Sequence, residues 1–409
     1  MPLKKIQTTC CIAGGGPAGI MLGFLLARAG IEVIVIEKHK DFFRDFRGDT
    51  IHPSTFNLMS ELGLLKEFLK VPHQDFKEMS VLVEQNEVKI ADFRHLKTAH
   101  AFLGLMPQWD FLNFLVQQAK EYPGFKLMME TEVKDLIESR GTVKGIKAQT
   151  RKGSVEIEAL LVIGADGRSS VVREAAKLKI IDFHSAVDVL WFKLSRNENE
   201  TNVPFFQVHN GRILVLFSRD KYYQCGYVLP KNGTAKLKSN GLIAFKGNIT
   251  EAAPMVADRI DEIKNWEDFN LLTVKIDRLK KWYKPGLLCI GDAAHAMSPV
   301  GGVGINLAVQ DAVAAANILY PYLKDDKLSD VEPLKAVQNR REFPTAVTQR
   351  LQRYMQDNIL KEIISREKAT QKTPLLFRLF KIFPYMHFLT ARWFGLGIRQ
   401  EHVQTPEVK

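Results

Sequence analysis

The chain is poor in cysteine, with four in 409 residues. Cys10 and Cys11 share one apolar run, and Cys225 and Cys289 lie on two others. There is no CxxC pair and no metal-ligand spacing. That excludes a disulfide scaffold and a structural metal, and it points to reduced, buried thiols in a cytoplasmic protein. A run of about eighteen uninterrupted apolar residues is also missing, so no membrane span is expected. Residues 10–29 have lysines before them and an apolar middle, as a secretion signal does. However, five glycines and a proline interrupt them and a strand pattern follows at once, which argues against a signal. Acidic residues are in deficit, 46 against 57 Lys and Arg, giving a net charge of +11. No nucleic-acid motif accompanies that excess, and the basic residues are spread out except near the C-terminus. Nucleic acid is therefore excluded as a partner, and an anionic cofactor suits the charge. Repeats and low-complexity linkers are absent.

What is present begins with "IQTTCCIAG", a buried strand, then "PAGIMLGFLLARAG", a helix, then "EVIVIEK", a second strand of the parallel kind. This is a βαβ unit. "HPSTFNLMSELGLLKEF" reads as helix, "MSVLVEQNEVKIADF" as a hairpin and "QWDFLNFLVQQAKEY" as an amphipathic helix. Short strands with Gly turns run from 125 to 164. From about 180 to 280 the pattern alternates, as in "FFQVHNGRILVLFSRDKYYQCGYVLP" and "LLTVKIDRL", and predicts an antiparallel sheet in a separate lobe. "GLLCIG" returns to the parallel kind, and helices are expected at about 303–324 and 330–362.

Three glycine-bearing turns follow strands. The first holds Gly14, Gly16, Pro17, Ala18 and Gly19 and matches GxGxxG between a strand and a helix. The first glycine permits the turn, the second admits a pyrophosphate, and the third lets helix and strand pack closely. The helix N-terminus would face the phosphates. Glu37 closes the second strand, with Lys38 beside it, and is placed to accept from ribose hydroxyls. An acid there disfavours a 2′-phosphate in this pocket. The second turn is "LLVIGADGRSSVVRE", with Asp166 and Gly167. The third is "LLCIGDAAHAMSPVGGVGINLAVQDA". There Gly291 and Asp292 follow a strand, as an acid gripping a ribityl chain would, and Pro299, Gly301, Gly302 and Gly304 build a backbone surface before a helix at Ile305 and Asn306. His295 reads as a turn histidine rather than a base. Two glycine-rich turns so far apart suit the two ends of one long ligand, and FAD fits.

In this order the motifs resemble the class A flavoprotein monooxygenases, the para-hydroxybenzoate hydroxylase family, over about residues 6–360. The resemblance implies an α/β fold: a Rossmann-like FAD-binding domain (1–74, 101–179 and 280–362), an interleaved antiparallel-sheet substrate domain (75–100 and 180–279) and a C-terminal helical tail (363–409). It implies non-covalent FAD, NADPH or NADH as co-substrate, molecular oxygen, and transfer of one oxygen atom from a flavin C4a-hydroperoxide to an aromatic ring. Arg47 would lie near the pyrophosphate and flavin. Gln108 would touch FAD, Asp166 and Gly167 would serve FAD and NAD(P)H, Asp292 the ribityl chain, and residues 299–306 the flavin ring. No second GxGxxG is present, as the family leads one to expect, and no WxWxIP, which argues against a halogenase. The alternative is a flavin dehydrogenase or reductase without oxygenase activity. Tyr222, Tyr223, His209 and Arg212 lie on strands expected to roof the pocket, but each reads as a sheet residue, so no catalytic residue is assigned. The molecule is expected to be a monomer or homodimer. Between residues 340 and 399 twelve Lys or Arg stand against four Asp or Glu, interleaved with aromatics. Packing onto the protein is favoured for this tail over contact with a membrane surface.

Overall fold

The computed structural model describes residues 4–43, 49–84, 86–98, 100–197, 200, 206–219, 221–365, 375–383 and 385–408. Strands β1 (Lys4–Ala13), β2 (Val33–Ile36), β3 (Gly153–Gly164) and β4 (Leu287–Cys289) form the parallel heart of an eight-stranded sheet, in the order β4, β3, β1, β2. Cys10 to Ala13 and all of β2 are buried, as strands covered on both faces must be. The covers include α1 (Pro17–Arg28) and α2 (Gly304–Lys324). The helix through Val300–Lys324 is long and apolar enough to span a membrane, but 78% of its apolar window is buried in this core. An antiparallel pair, Glu132–Ser139 and Thr142–Thr150, extends from β3.

Register decides what this sheet can do. Ala13 pairs with Gly164 and with Ile36, and Gly164 pairs with Cys289. The C-terminal ends of all four strands therefore form one row, and the three glycine turns leave the sheet side by side. Ligands of open α/β sheets bind at this edge.

A second sheet of seven strands runs in the order Asn270–Leu272, Val187–Ser195, Tyr222–Pro230, Arg212–Ser218, Phe206–His209, Glu78–Val83, Asn86–Asp92. Its outer face, with Leu190, Phe192, Leu214 and Tyr227, packs on Phe245 and Ile249 of the helix Leu242–Ala252. That helix and the 3-10 segment Pro254–Glu262 lie inside the region whose alternation suggested only strands. "LLTVKIDRL" is split as well. Asn270–Leu272 joins the large sheet, while Asp277–Leu279 forms a separate ladder with Ile180–Asp182. The helix expected over 53–68 breaks into Pro53–Glu61 and Leu65–Phe68 around Gly63, whose φ is +72°.

After α3 (Glu332–Met355) come α4 (Leu375–Ile382) and α5 (Tyr385–Leu396). They pack as the sequence favoured: Phe377, Phe380, Ala391 and Phe394 are buried against the second sheet and its hairpin. Ile382, Phe383 and Tyr385 stay exposed. The last residues turn back along the first domain, where the Val408 N–H donates to the Arg28 carbonyl at 2.8 Å.

Candidate flavin site

Gly14 adopts φ +112°, and a Cβ there would lie 2.3 Å from the Ala165 carbonyl oxygen. At Gly19 a Cβ would lie 1.9 Å from the Gly14 carbonyl oxygen. Both positions hold the turn shut against its own neighbours. Gly16 differs: among the described residues nothing lies within 4 Å of its missing Cβ. It is the N-cap of α1 and has no side-chain cap, so the first amides of that helix face outward. A pyrophosphate fits the chemistry of this cradle. Pro17 opens the helix, and Ala18 touches the third turn, since a Cβ at Gly291 would lie 3.0 Å from the Ala18 Cβ.

The other turns repeat the pattern. Gly167 (φ +85°) and Gly304 also face open space. Gly301 and Gly302 do not. Their Cβ positions are 2.1 Å from the Phe394 ring and 2.2 Å from Thr50 Oγ1, so these two glycines serve packing. Each of the three turns thus carries one glycine with nothing over it.

The polar groups are fixed from within the protein. Glu37 Oε2 accepts from the Gly15 N–H at 3.0 Å and Oε1 from the His39 N–H at 3.0 Å, which pins the carboxylate at the end of β2. Lys38 is exposed beside it. Asp166 Oδ2 accepts from the Val172 N–H at 3.1 Å, while Oδ1 is buried with no partner; burial raises its pKa. Asp292 is partly exposed and pairs with Arg168 at 3.2 Å. Pro299 is exposed, and Ile305 is buried in the first turn of α2. Asn306 is occupied: its Oδ1 accepts from the His52 N–H (2.9 Å) and Thr55 Oγ1 (2.7 Å), and its Nδ2 donates to the Thr50 carbonyl (3.2 Å). Gln108 opens the helix Gln108–Ala119 at the seam between the two sheets. Arg47 lies outside the described residues.

Sequence reasoning missed several groups. Asp311 accepts from the Gly291 N–H (3.0 Å), contacts His295 Nε2 (2.5 Å) and pairs with Arg341 (3.0 Å). Burial pushes its carboxyl up, but the charges of His295 and Arg341 outweigh burial and hold it below the usual range. Arg341 reaches on to Glu401 at 3.1 Å. His295 is thus a structural partner in a buried network, as its turn context suggested. On the other side Asp49 is buried against Arg219, which also donates to Gln224 Oε1 at 3.1 Å. Burial raises Asp49 to about 6 against the lowering effect of Arg219. His52 is wholly buried, and burial lowers it to about 4. Alternation along the strands puts Arg219, Gln224, Phe217 and Trp191 on the inner face of the second sheet. The Trp191 and Phe217 rings stack at 6.1 Å, and Gly226 lets Trp191 lie flat, since a Cβ there would be 2.9 Å from its ring. Arg219 Nε is a buried donor with no acceptor among the described residues. Tyr223 is on the outer face, bonded to Glu200 at 2.9 Å. His209 and Arg212 pair with Glu84 and Glu251 at the far hairpin.

Three glycine turns side by side at the C-terminal edge of a parallel sheet, one of them opening a helix with uncapped amides, suit a dinucleotide-binding protein. The family model described as "FAD binding domain" matches residues 7–351, and the chain belongs to that family, as a class A flavoprotein monooxygenase. It is 34% identical over 361 residues, 86% of this chain and 84% of the relative, to 6-methylpretetramide 4-monooxygenase of Streptomyces rimosus. Among solved structures it is similar to the OxyS anhydrotetracycline hydroxylase from Streptomyces rimosus (TM-score 0.75, 20% identity, 95% of this chain and 76% of that one). It is also similar to p-nitrophenol 4-monooxygenase PnpA from Pseudomonas putida DLL-E4 (TM-score 0.74, 18% identity, 94% and 99%).

Proposed function

We propose that this enzyme hydroxylates a polycyclic, oxygen-bearing aromatic molecule in the cytoplasm, with NADPH or NADH as the electron donor. The observation that carries the reading is the row of three glycines at one sheet edge, Gly16, Gly167 and Gly304, each with no atom of the described residues within 4 Å of its Cβ position. Similarity to 6-methylpretetramide 4-monooxygenase supports the polycyclic class. Bound FAD supplies the redox and oxygen chemistry that no side chain here offers.

The chain's own residues bind, orient and dry the site. Gly14, Gly16, Pro17, Ala18 and Gly19 would hold the pyrophosphate on the amides of α1. Glu37 would accept from ribose hydroxyls, with Lys38 at the rim. Asp166 and Gly167, Gly291 and Asp292, and Gln108 would line the middle of the cofactor. Residues 299–305 would back the ring, with the N-terminus of α2 favouring negative charge there. Asn306 and Thr50 would brace that loop rather than touch the ring. Trp191 and Phe217 would exclude water over the substrate. Arg219 Nε would donate to a substrate oxygen and hold one edge of the substrate in line. Purified protein should consume NAD(P)H and oxygen faster with phenolic, quinone-like or polycyclic substrates, and mass spectrometry should show a product heavier by one oxygen. Oxidation of NAD(P)H that no aromatic accelerates, with no oxygenated product, would instead favour a flavin dehydrogenase.

A further inference from the structure

Away from the flavin edge, a cavity of about 380 Å³ lies between α3 and the ladder of Ile180–Asp182 with Asp277–Leu279. Phe183, Phe343, Ala346 and Val347 make its apolar wall, and Arg278, Arg350 and Arg353 its charged wall. Two guanidinium groups crowd one ring: Arg278 lies 5.3 Å and Arg353 5.1 Å from the centre of Phe183. Arg399 stands 5.6 Å from the Phe343 ring. Against these cations the described residues set one carboxylate, Glu342, at 3.7 Å from Arg278. Arg350 and Arg353 have no carboxylate partner among the described residues. Like charges gathered in a half-buried cavity repel, and a bound anion relieves that cost. Guanidinium forks favour phosphate, and flat aromatic walls favour a heterocycle.

The floor is tied to the flavin site. Gln349 accepts from Arg278 at 3.2 Å and donates to the carbonyls of Asp277 (2.7 Å) and Ala296 (3.0 Å). Ala296 lies between Asp292 and Pro299. Asp277 is bonded at 3.1 Å through both oxygens to Arg173, in the helix that follows Asp166. A ligand in the cavity therefore leans on both segments. The reaction needs an external two-electron donor, and the chain has no second glycine-rich βαβ unit to hold one.

We propose that this arginine-walled cavity is the anchor for the phosphorylated adenosine end of the nicotinamide donor, and that it reads a 2′-phosphate. This rests on the proposed function, which supplies the need for a donor. Two phosphates could satisfy the arginines, the 2′-monoester or the pyrophosphate, and the test separates them. FAD-loaded protein is titrated in a calorimeter with 2′,5′-ADP and, separately, with 5′-ADP. The expected result is salt-sensitive binding, with 2′,5′-ADP tighter by roughly tenfold or more. The double change Arg350→Ala with Arg353→Ala should weaken it by roughly tenfold. Arg350→Glu, at an exposed position with little risk to folding, should act in the same direction. KM for NADPH should rise by a similar factor, with kcat and the KM for NADH little changed. Equal affinity for the two probes, no binding, or binding indifferent to the arginines would overturn the proposal. The titration involves no turnover. Binding without any hydroxylation would sink the proposed function alone, and hydroxylation without binding would sink this inference alone.

Discussion

Asp49 and His52 are three residues apart and titrate against each other. Asp49 is raised to about 6 in the folded chain, so its contribution to stability is full below about 4 and is lost as pH rises through 6. His52 is lowered to about 4, so its contribution is full above about 6.5 and is lost as pH falls toward 4. Each shift corresponds to about 3 kcal/mol, and over pH 4–6.5 the two largely cancel. Asp49→Asn should expose the His52 slope, with stability relative to wild type increasing by about 3 kcal/mol as pH rises from 4 to 6.5. His52→Gln should show the reverse. Denaturant unfolding at several pH values checks both, and parallel profiles for wild type and variants would count against these assignments. Asp292→Ala addresses the cofactor: it removes the acid proposed for the ribityl chain and frees Arg168, so most bound flavin should be lost. Full occupancy by absorbance in the purified variant would remove Asp292 from the site. Neither Asp49 nor Arg219 was legible in the sequence, because their meeting joins two segments 170 residues apart. The position of Asp292 at the sheet edge was legible because it comes just after a strand.

At the scale of the turn, glycines that look alike in sequence separate into two kinds. Gly16→Ala meets no atom, so the apoprotein should melt within a degree or two of wild type while FAD affinity falls by roughly tenfold or more. Gly19→Ala meets the Gly14 carbonyl and should destabilise the apoprotein by about 3 kcal/mol or more. Calorimetric melting with and without FAD separates the two outcomes, and a Gly16→Ala protein that binds FAD normally would contradict an open cradle. The three turns could be read in sequence because each is a local pattern of strand, glycines and helix. The split of "LLTVKIDRL" could not, because Asp277 is drawn out of line by Arg173, and that pairing is long-range. The helix Leu242–Ala252 was masked by the alternating strands before it.

Across the whole molecule the chain end acts as a clamp. Arg341 is buried between Asp311 and Glu401, and Glu401 also binds Arg340 at 2.8 Å and, through its N–H, Gln310 at 2.5 Å. Ending the chain at residue 398 leaves Arg341 without one of its two carboxylates. Stability should fall by about 3 kcal/mol or more, lowering the melting temperature by several degrees. A truncated protein that melts with the full chain would show that the clamp is idle. The basic, aromatic composition of the tail announced a surface, but not which one, because composition does not specify a docking partner.

Phe394 rests on Gly301, and its carbonyl lies 2.5 Å from a ring nitrogen of His52. The loop proposed to back the flavin ring is therefore finished by residues far from it in sequence. The N-terminal βαβ unit is made first, but its central strand, β1, waits for β3, and β3 waits for β4. With so many distant pairings, folding should be slow and should finish only once α5 has been made. The two ends of the cofactor would thus be seated by segments made far apart in time, and a nascent chain halted before α5 would present the adenosine cradle without a settled seat for the flavin.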